Sequence, residues 1–147
     1  MNVSYHFDLH SKISTVPKDF LMKLWKEILY RDMRFTINCT ISSKNMYKIQ
    51  QYCEEALSFG AYRIRFTNLL NQGAARCLDR ELMLSNSQID YVINSIDSAR
   101  SSFLKKDLYI ERCGGFGPNP KTKKFYCPAG TDRVFLTPDR KVYPCVF

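Results

Sequence analysis

The sequence predicts an α/β fold: about three βα units that form a parallel sheet, followed by a short β-hairpin. Three observations carry this. Segments with the two-residue period of a strand recur along the first 111 residues, and segments with the 3.6-residue period of a helix lie between them. From Cys113 the composition changes to the turn-rich Gly114-Gly115-Phe116-Gly117-Pro118-Asn119-Pro120, after which two short apolar runs flank Pro138. A boundary near residue 113 therefore separates a first domain, 1–112, from a second, 113–147.

The elements follow in order. Val3 to Phe7 alternates as a strand does. From Pro17 the apolar residues Leu21, Leu24, Trp25 and Ile28 mark one helix face, and Pro17 and Asp19 suit a first helical turn. Arg34 to Ile41 alternates strictly, with Phe35, Ile37, Cys39 and Ile41 on one side and Thr36, Asn38 and Thr40 on the other. A second helix is expected over 44–59, capped by Ser43, with a buried stripe of Met46, Ile49, Cys53, Ala56 and Leu57 and a stop at Gly60. Tyr62 to Thr67 is the next strand, with Tyr62, Ile64 and Phe66 on one face and Arg63, Arg65 and Thr67 on the other. Ser85 and Gln88 form a capping box for a third helix carrying Ile89, Val92, Ile93, Ile96, Ala99 and Phe103. Leu108 to Ile110 reads as a further strand. Strands and helices that alternate at these spacings argue for parallel pairing.

In the tail, Val134 to Leu136 and Val142-Tyr143 read as two strands around the turn Pro138-Asp139-Arg140-Lys141, which would bring Cys127 and Cys145 towards each other. Two thiols so placed could share a metal or form a disulfide, and a closed metal site needs further ligands.

Composition bounds the function. The chain has 147 residues, 45% of them hydrophobic, which is enough for a domain with a core or a piece of something larger. No run of eighteen apolar residues and no basic-then-apolar leader occurs, so no membrane span is expected and the cytoplasm is the expected compartment. There, six cysteines are read as core thiols and metal ligands rather than three disulfides. The net charge of +8 is uneven: residues 1–111 carry fifteen Lys or Arg against twelve acids, and 112–147 carry seven against two. Lys121, Lys123 and Lys124 are read as a solvated loop. His6, Asp8 and His10 could suggest a metal, but the reading preferred here is structural. Cys39 and Cys53 sit on apolar faces as buried thiols, Cys77 has no assigned role, and no phosphate-binding glycine loop or nucleophile elbow is present.

Three segments carry a resemblance to a family. Phe35-Thr36-Ile37-Asn38-Cys39-Thr40-Ile41-Ser42-Ser43-Lys44-Asn45 looks like the fifth barrel strand of the radical S-adenosylmethionine enzymes that bear a C-terminal SPASM domain, with one asparagine on the inner face and another opening the next helix. Gly60 to Ala75 is similar to the sixth strand and its following loop, with Asn71 where the family usually has proline. Cys127 and Cys145 fit the spacing that opens a SPASM domain, with Arg140 in the usual glycine position; a type I turn there would need no positive φ. The family's C-x-x-x-C-x-x-C loop has no counterpart in this sequence.

The resemblance implies a fragment of a partial parallel (βα) barrel followed by the opening hairpin of a SPASM domain, from a radical SAM oxidoreductase that generates a 5'-deoxyadenosyl radical. It implies S-adenosyl-L-methionine and [4Fe-4S] clusters as cofactors, a peptide or protein substrate, and a one-electron donor such as flavodoxin or ferredoxin; no nucleic-acid partner is expected. Without the radical-cluster loop the chain is expected to be inactive alone. Asn38 would meet the ribose or the amino-acid end of the cofactor, or serve as a satisfied barrel amide. Arg63 and Arg65 would take a cofactor carboxylate or a substrate acid, or form an ion pair with an acid on strands outside this chain. Leu69 would pack on adenine or in ordinary core. Cys127 and Cys145 would be auxiliary-cluster ligands, with Cys113 a further candidate. The alternative from another class is a zinc-containing basic nucleic-acid-binding module built on Cys113, Cys127 and Cys145. An open half barrel also exposes sheet edge and apolar surface, so the isolated chain is expected to self-associate.

Overall fold

The structure, a computed structural model, describes residues 1–71, 76–77, 80–113, 116 and 134–144. Its centre is a four-stranded, wholly parallel sheet of β1 (Asn2–Ser4), β2 (Thr36–Ile41), β3 (Arg63–Asn68) and β4 (Tyr109–Cys113), in that spatial order. The crossovers contain helices α1 (His10–Ile13) and α2 (Lys18–Tyr30), then α3 (Ile49–Ser58), then α4 (Asn86–Ser102). Strands β5 (Phe135–Leu136) and β6 (Val142–Tyr143) form a separate antiparallel hairpin. This is the expected α/β architecture of part of a parallel βα barrel.

One face of the sheet is apolar because each strand alternates. Val3, Ile37, Ile64 and Ile110 lie in register across all four strands, and Cys39 pairs with Phe66 in the next apolar row. Leu21, Trp25 and Ile28 from α2, Ile49, Tyr52, Cys53 and Ala56 from α3, and Val92, Ile93, Ile96 and Ala99 from α4 close on it as one core. Trp25 anchors this packing. Its ring stacks on Phe35 at 5.6 Å and meets Tyr5 edge-on at 5.0 Å. Truncating so large a buried ring costs about 3–5 kcal/mol in comparable cores.

Local signals explain most boundaries. Ser85 accepts from the Gln88 backbone while the Gln88 side chain accepts from the Ser85 backbone, the expected capping box. Gly60 follows α3 at φ +74, a conformation that favours glycine.

Four details depart from the sequence reading. Strand β1 ends at Ser4, because Phe7 turns at φ +49 to lay its ring flat on Tyr52, 4.2 Å away. Ser43 does not cap α3. Its hydroxyl donates to Glu81 O at 2.6 Å, and a single 3-10 turn, Met46–Lys48, precedes the helix. Tyr62 stands beside arginines rather than in the core. In the hairpin, Arg140 adopts φ +62, so the expected absence of positive φ is incorrect. Arg140 N donates to Thr137 O, and Thr137 N donates to Lys141 O, both at 2.9 Å. This is a turn over Pro138-Asp139 followed by one left-handed residue that restores the strand pairing, which explains why a glycine suits that position.

Candidate cofactor-binding site

The opposite face of the sheet is polar and carries the candidate site. Strand register sets three rows across it. Asn2, Thr36, Arg63 and Tyr109 form the first; Ser4, Asn38, Arg65 and Glu111 the second; Thr40, Thr67 and Cys113 the third, towards the carboxyl ends of the strands. In open and closed parallel sheets alike, ligands gather at that end.

Asn38 and Arg65 are thus register partners at the middle of the face. Asn38 Oδ1 is buried and accepts no hydrogen bond among the described residues. A buried amide oxygen without a donor costs on the order of 1–3 kcal/mol, so this position suits a ligand hydroxyl or ammonium. Arg65 directs Nε and Nη2 to Glu111 Oε2, each at 3.0 Å, and Arg63 Nη1 reaches the same oxygen at 3.4 Å. The acid expected on strands outside the chain is therefore Glu111 on β4. Two guanidinium groups share one carboxylate, which leaves the cluster with a surplus positive charge. Arg63 Nε is buried without an acceptor among the described residues.

The upper row is tied down by β1. Its continuation places His6 beside Thr40, and Thr40 N donates to His6 Nδ1 at 3.4 Å. Burial, with His10 adding a smaller push, lowers the His6 pKa to about 4, so the ring is neutral and accepts. Thr40 and Thr67 hydroxyls meet at 3.5 Å. Asn45, fully buried, accepts from Ser42 N at 2.8 Å and donates to Thr40 O at 3.1 Å, which fixes the exit of β2. Leu69 is half-buried just beyond β3, its N–H donating to Ile41 O at 3.0 Å.

The remaining candidates sort by environment. His10 Nε2 donates to Val16 O at 2.9 Å and its Nδ1 accepts from His6 N, while Asp8 accepts from Tyr52 and Lys48. That trio braces the β1 exit, in keeping with the structural reading. Burial opposes the Asp8 charge, but hydrogen bonds from Lys48 and Tyr52 outweigh it and hold its pKa low. Burial drives the Cys39 thiol far up and, with Glu54, raises Cys53 to about 12, so neither is a thiolate at neutral pH. Cys77 and Cys113 are exposed and free. Cys127 and Cys145, the expected cluster ligands, lie outside the described residues. Among the described residues, no group of three His, Cys, Asp or Glu side chains could hold a metal ion, and no helix is long and apolar enough to cross a membrane.

Sequence reasoning missed Glu111 and Ser4 as members of the face. Extending the Leu108-Tyr109-Ile110 strand by one residue would have put Glu111 beside the two arginines.

No protein-family profile matches the chain, and no curated protein does. Among solved structures, SuiB of Streptococcus suis bound to S-adenosylmethionine is similar, with a TM-score of 0.71 at 13% sequence identity over 99% of this chain. The chain spans 36% of the length of that protein. At this identity the likeness establishes a shared fold: four parallel strands with their crossover helices, as in a protein that was crystallised with S-adenosylmethionine.

Proposed function

We propose that the chain is part of a radical SAM/SPASM oxidoreductase and that the polar face of its sheet contributes to the S-adenosylmethionine site. The observation that carries this is the in-register row Ser4, Asn38, Arg65 and Glu111, with the Asn38 amide oxygen buried and unpartnered. The fold likeness to a protein bound to S-adenosylmethionine supports it. So does the family resemblance of the β2 and β3 segments.

The residues fit such a ligand. Asn38 Oδ1 would accept from a ribose hydroxyl or the ammonium of the methionine end. Arg65, with Arg63 behind it, would hold the carboxylate, and Glu111 would keep both guanidinium groups aimed at the face. Leu69 would cover the adenine. Together with a reduced [4Fe-4S] cluster, the cofactor would supply a 5'-deoxyadenosyl radical for hydrogen abstraction from a peptide or protein substrate, with electrons from a donor such as flavodoxin or ferredoxin. Cys127 and Cys145 would belong to an auxiliary cluster completed by residues outside this chain, and the chain alone would be inactive.

Titration calorimetry with S-adenosylhomocysteine tests the site without any turnover. The parent chain should bind, and Asn38→Ala and Arg65→Ala should each weaken binding about tenfold, the loss of one hydrogen bond to a charged or buried partner. Equal affinity in all three proteins, or no binding by the parent, would remove the cofactor reading.

A further inference from the structure

His6 and His10 share a tautomer but not a use for it. Their rings stack at 5.9 Å, and each Nδ1 accepts from a backbone amide, that of His10 from His6 N and that of His6 from Thr40 N, both at 3.4 Å. A neutral imidazole whose Nδ1 accepts carries its proton on Nε2. Buried His10 donates that proton to Val16 O at 2.9 Å. Among the described residues nothing accepts from His6 Nε2, and the half-buried ring leaves it open to a ligand.

The strand ladder sets where this donor stands. Thr36 N donates to Met1 O and Tyr5 N to Asn38 O, so β1 and β2 stay hydrogen-bonded past Ser4, and Thr40 N then takes the His6 ring as its acceptor. Tyr5 is buried in the core, so by alternation His6 falls on the polar side, where it completes the third row with Thr40, Thr67 and Cys113. Burial keeps the ring uncharged at neutral pH. The row therefore offers polarity without charge: the Thr40 and Thr67 hydroxyls meet each other at 3.5 Å, and the Asp8 carboxylate is taken by Lys48 and Tyr52. The charged row is the second one, with Arg65 and Glu111. Position narrows the ligand further. Asn38, Arg65 and Leu69, to which the cofactor reading assigns S-adenosylmethionine, lie on β2 and on or just beyond β3, which leaves the β1 flank to a second molecule.

We propose that His6 Nε2 donates to an uncharged backbone carbonyl of the peptide or protein substrate and holds that substrate over the β1 side of the polar face. The substrate class and the choice of face rest on the proposed function; the free donor is read from the ring's own hydrogen bonds. A carbonyl needs no counter-charge, whereas a substrate carboxylate beside this row would lack a cation.

The test is NMR on the whole chain labelled with 15N-histidine, titrated with the uncharged peptide acetyl-(Gly-Ser)3-amide in the presence and absence of S-adenosylhomocysteine. Before any addition, His6 should show a protonated Nε2 and a bare Nδ1. The peptide should shift His6 Nε2 and its proton and leave His10 in place, while S-adenosylhomocysteine alone should move neither. His6→Leu should weaken peptide binding about fivefold, the loss of one neutral hydrogen bond, and His6→Gln, which keeps a donor and an acceptor, should recover most of it; S-adenosylhomocysteine affinity should stay unchanged in both. If His6→Leu fails to fold, the spectra of the parent chain decide alone. A proton on Nδ1, no shift at millimolar peptide, an equal shift with S-adenosylhomocysteine alone or with acetate, or equal peptide affinity in a folded His6→Leu would each overturn the proposal. A chain that binds the peptide through His6 but not S-adenosylhomocysteine would remove the cofactor reading and leave this one standing; the reverse pattern would remove only this one.

Discussion

Arg65 and Glu111 are register partners on adjacent parallel strands, and Arg65 commits two of its nitrogens to a single Glu111 oxygen at 3.0 Å. Arg63, two residues back on the same face, shares that oxygen at 3.4 Å. Two nitrogens of one planar guanidinium that converge on one oxygen fix its orientation, so Glu111 orients the arginines more than it stabilises the sheet. The three side chains remain 30%, 27% and 33% exposed, and solvent screening keeps such pairs within about 1 kcal/mol. Glu111→Gln should therefore shift the urea midpoint by less than about 1 kcal/mol of stability, while changing S-adenosylhomocysteine affinity several-fold. A large loss of stability with unchanged affinity would mean that the pair is structural.

Gly60 supplies a second expectation. Its φ is +74, and a Cβ there would stand 3.0 Å from Leu29 Cδ1 and 3.2 Å from Cδ2. The side-chain end of Leu29 can move, but the backbone cannot leave the left-handed region without unwinding the end of α3. Gly60→Ala should cost about 1–2 kcal/mol, mostly from backbone conformation. Chemical denaturation reads this directly, and an unchanged midpoint would contradict it.

Arg140 offers the converse case. At φ +62 it bears the left-handed strain that glycine avoids, in the hairpin turn where Thr137 N donates to Lys141 O. Relief of about 1–2 kcal/mol of strain is set against about 0.5–1 kcal/mol of added chain entropy in glycine. Arg140→Gly should then stabilise the hairpin by about 0.5 kcal/mol and slow exchange of the Thr137 amide roughly twofold. Faster exchange would show that the arginine is held there by something other than the turn.

How much of the fold and the site is legible in the sequence follows from the range of each interaction. The strands and the Ser85 capping box are local, and their periods survive in the sequence; so is the stop at Gly60. Cys39 could be assigned to the core because its neighbours alternate. Glu111 could not be paired with Arg65, because 46 residues separate them and only the parallel register of β3 and β4 joins them. Phe7 departs from its strand-like pattern for the same reason. Its alternation continues, but stacking on Tyr52 overrides it at a φ that propensity disfavours. Arg140 departs from the expected turn for a different one: a three-residue connection needs a left-handed residue whatever its side chain, and type I turn chemistry describes only the two residues before it.

His6 links the site to pH. In the folded chain its Nδ1 accepts from Thr40 N, and burial, with His10 adding to it, lowers its pKa from 6.5 to about 4. Protonation would turn that acceptor into a donor facing another donor. Because the folded pKa lies below the unfolded one, the unfolded chain binds more protons between the two values, and stability rises with pH across that window. The contribution is complete above pH 6.5 and is lost as pH falls through about 4. Asp8, also depressed, is lost in a lower window, below its ordinary value of 3.8. Discounted for the part of the ring that water reaches, His6 should account for roughly 1–2 kcal/mol between pH 6.5 and 4.5. His6→Asn keeps an acceptor but has no proton to bind, so its urea midpoint should fall less than that of the parent over the same interval. Parallel pH profiles for the two proteins would show that the titrating group lies elsewhere.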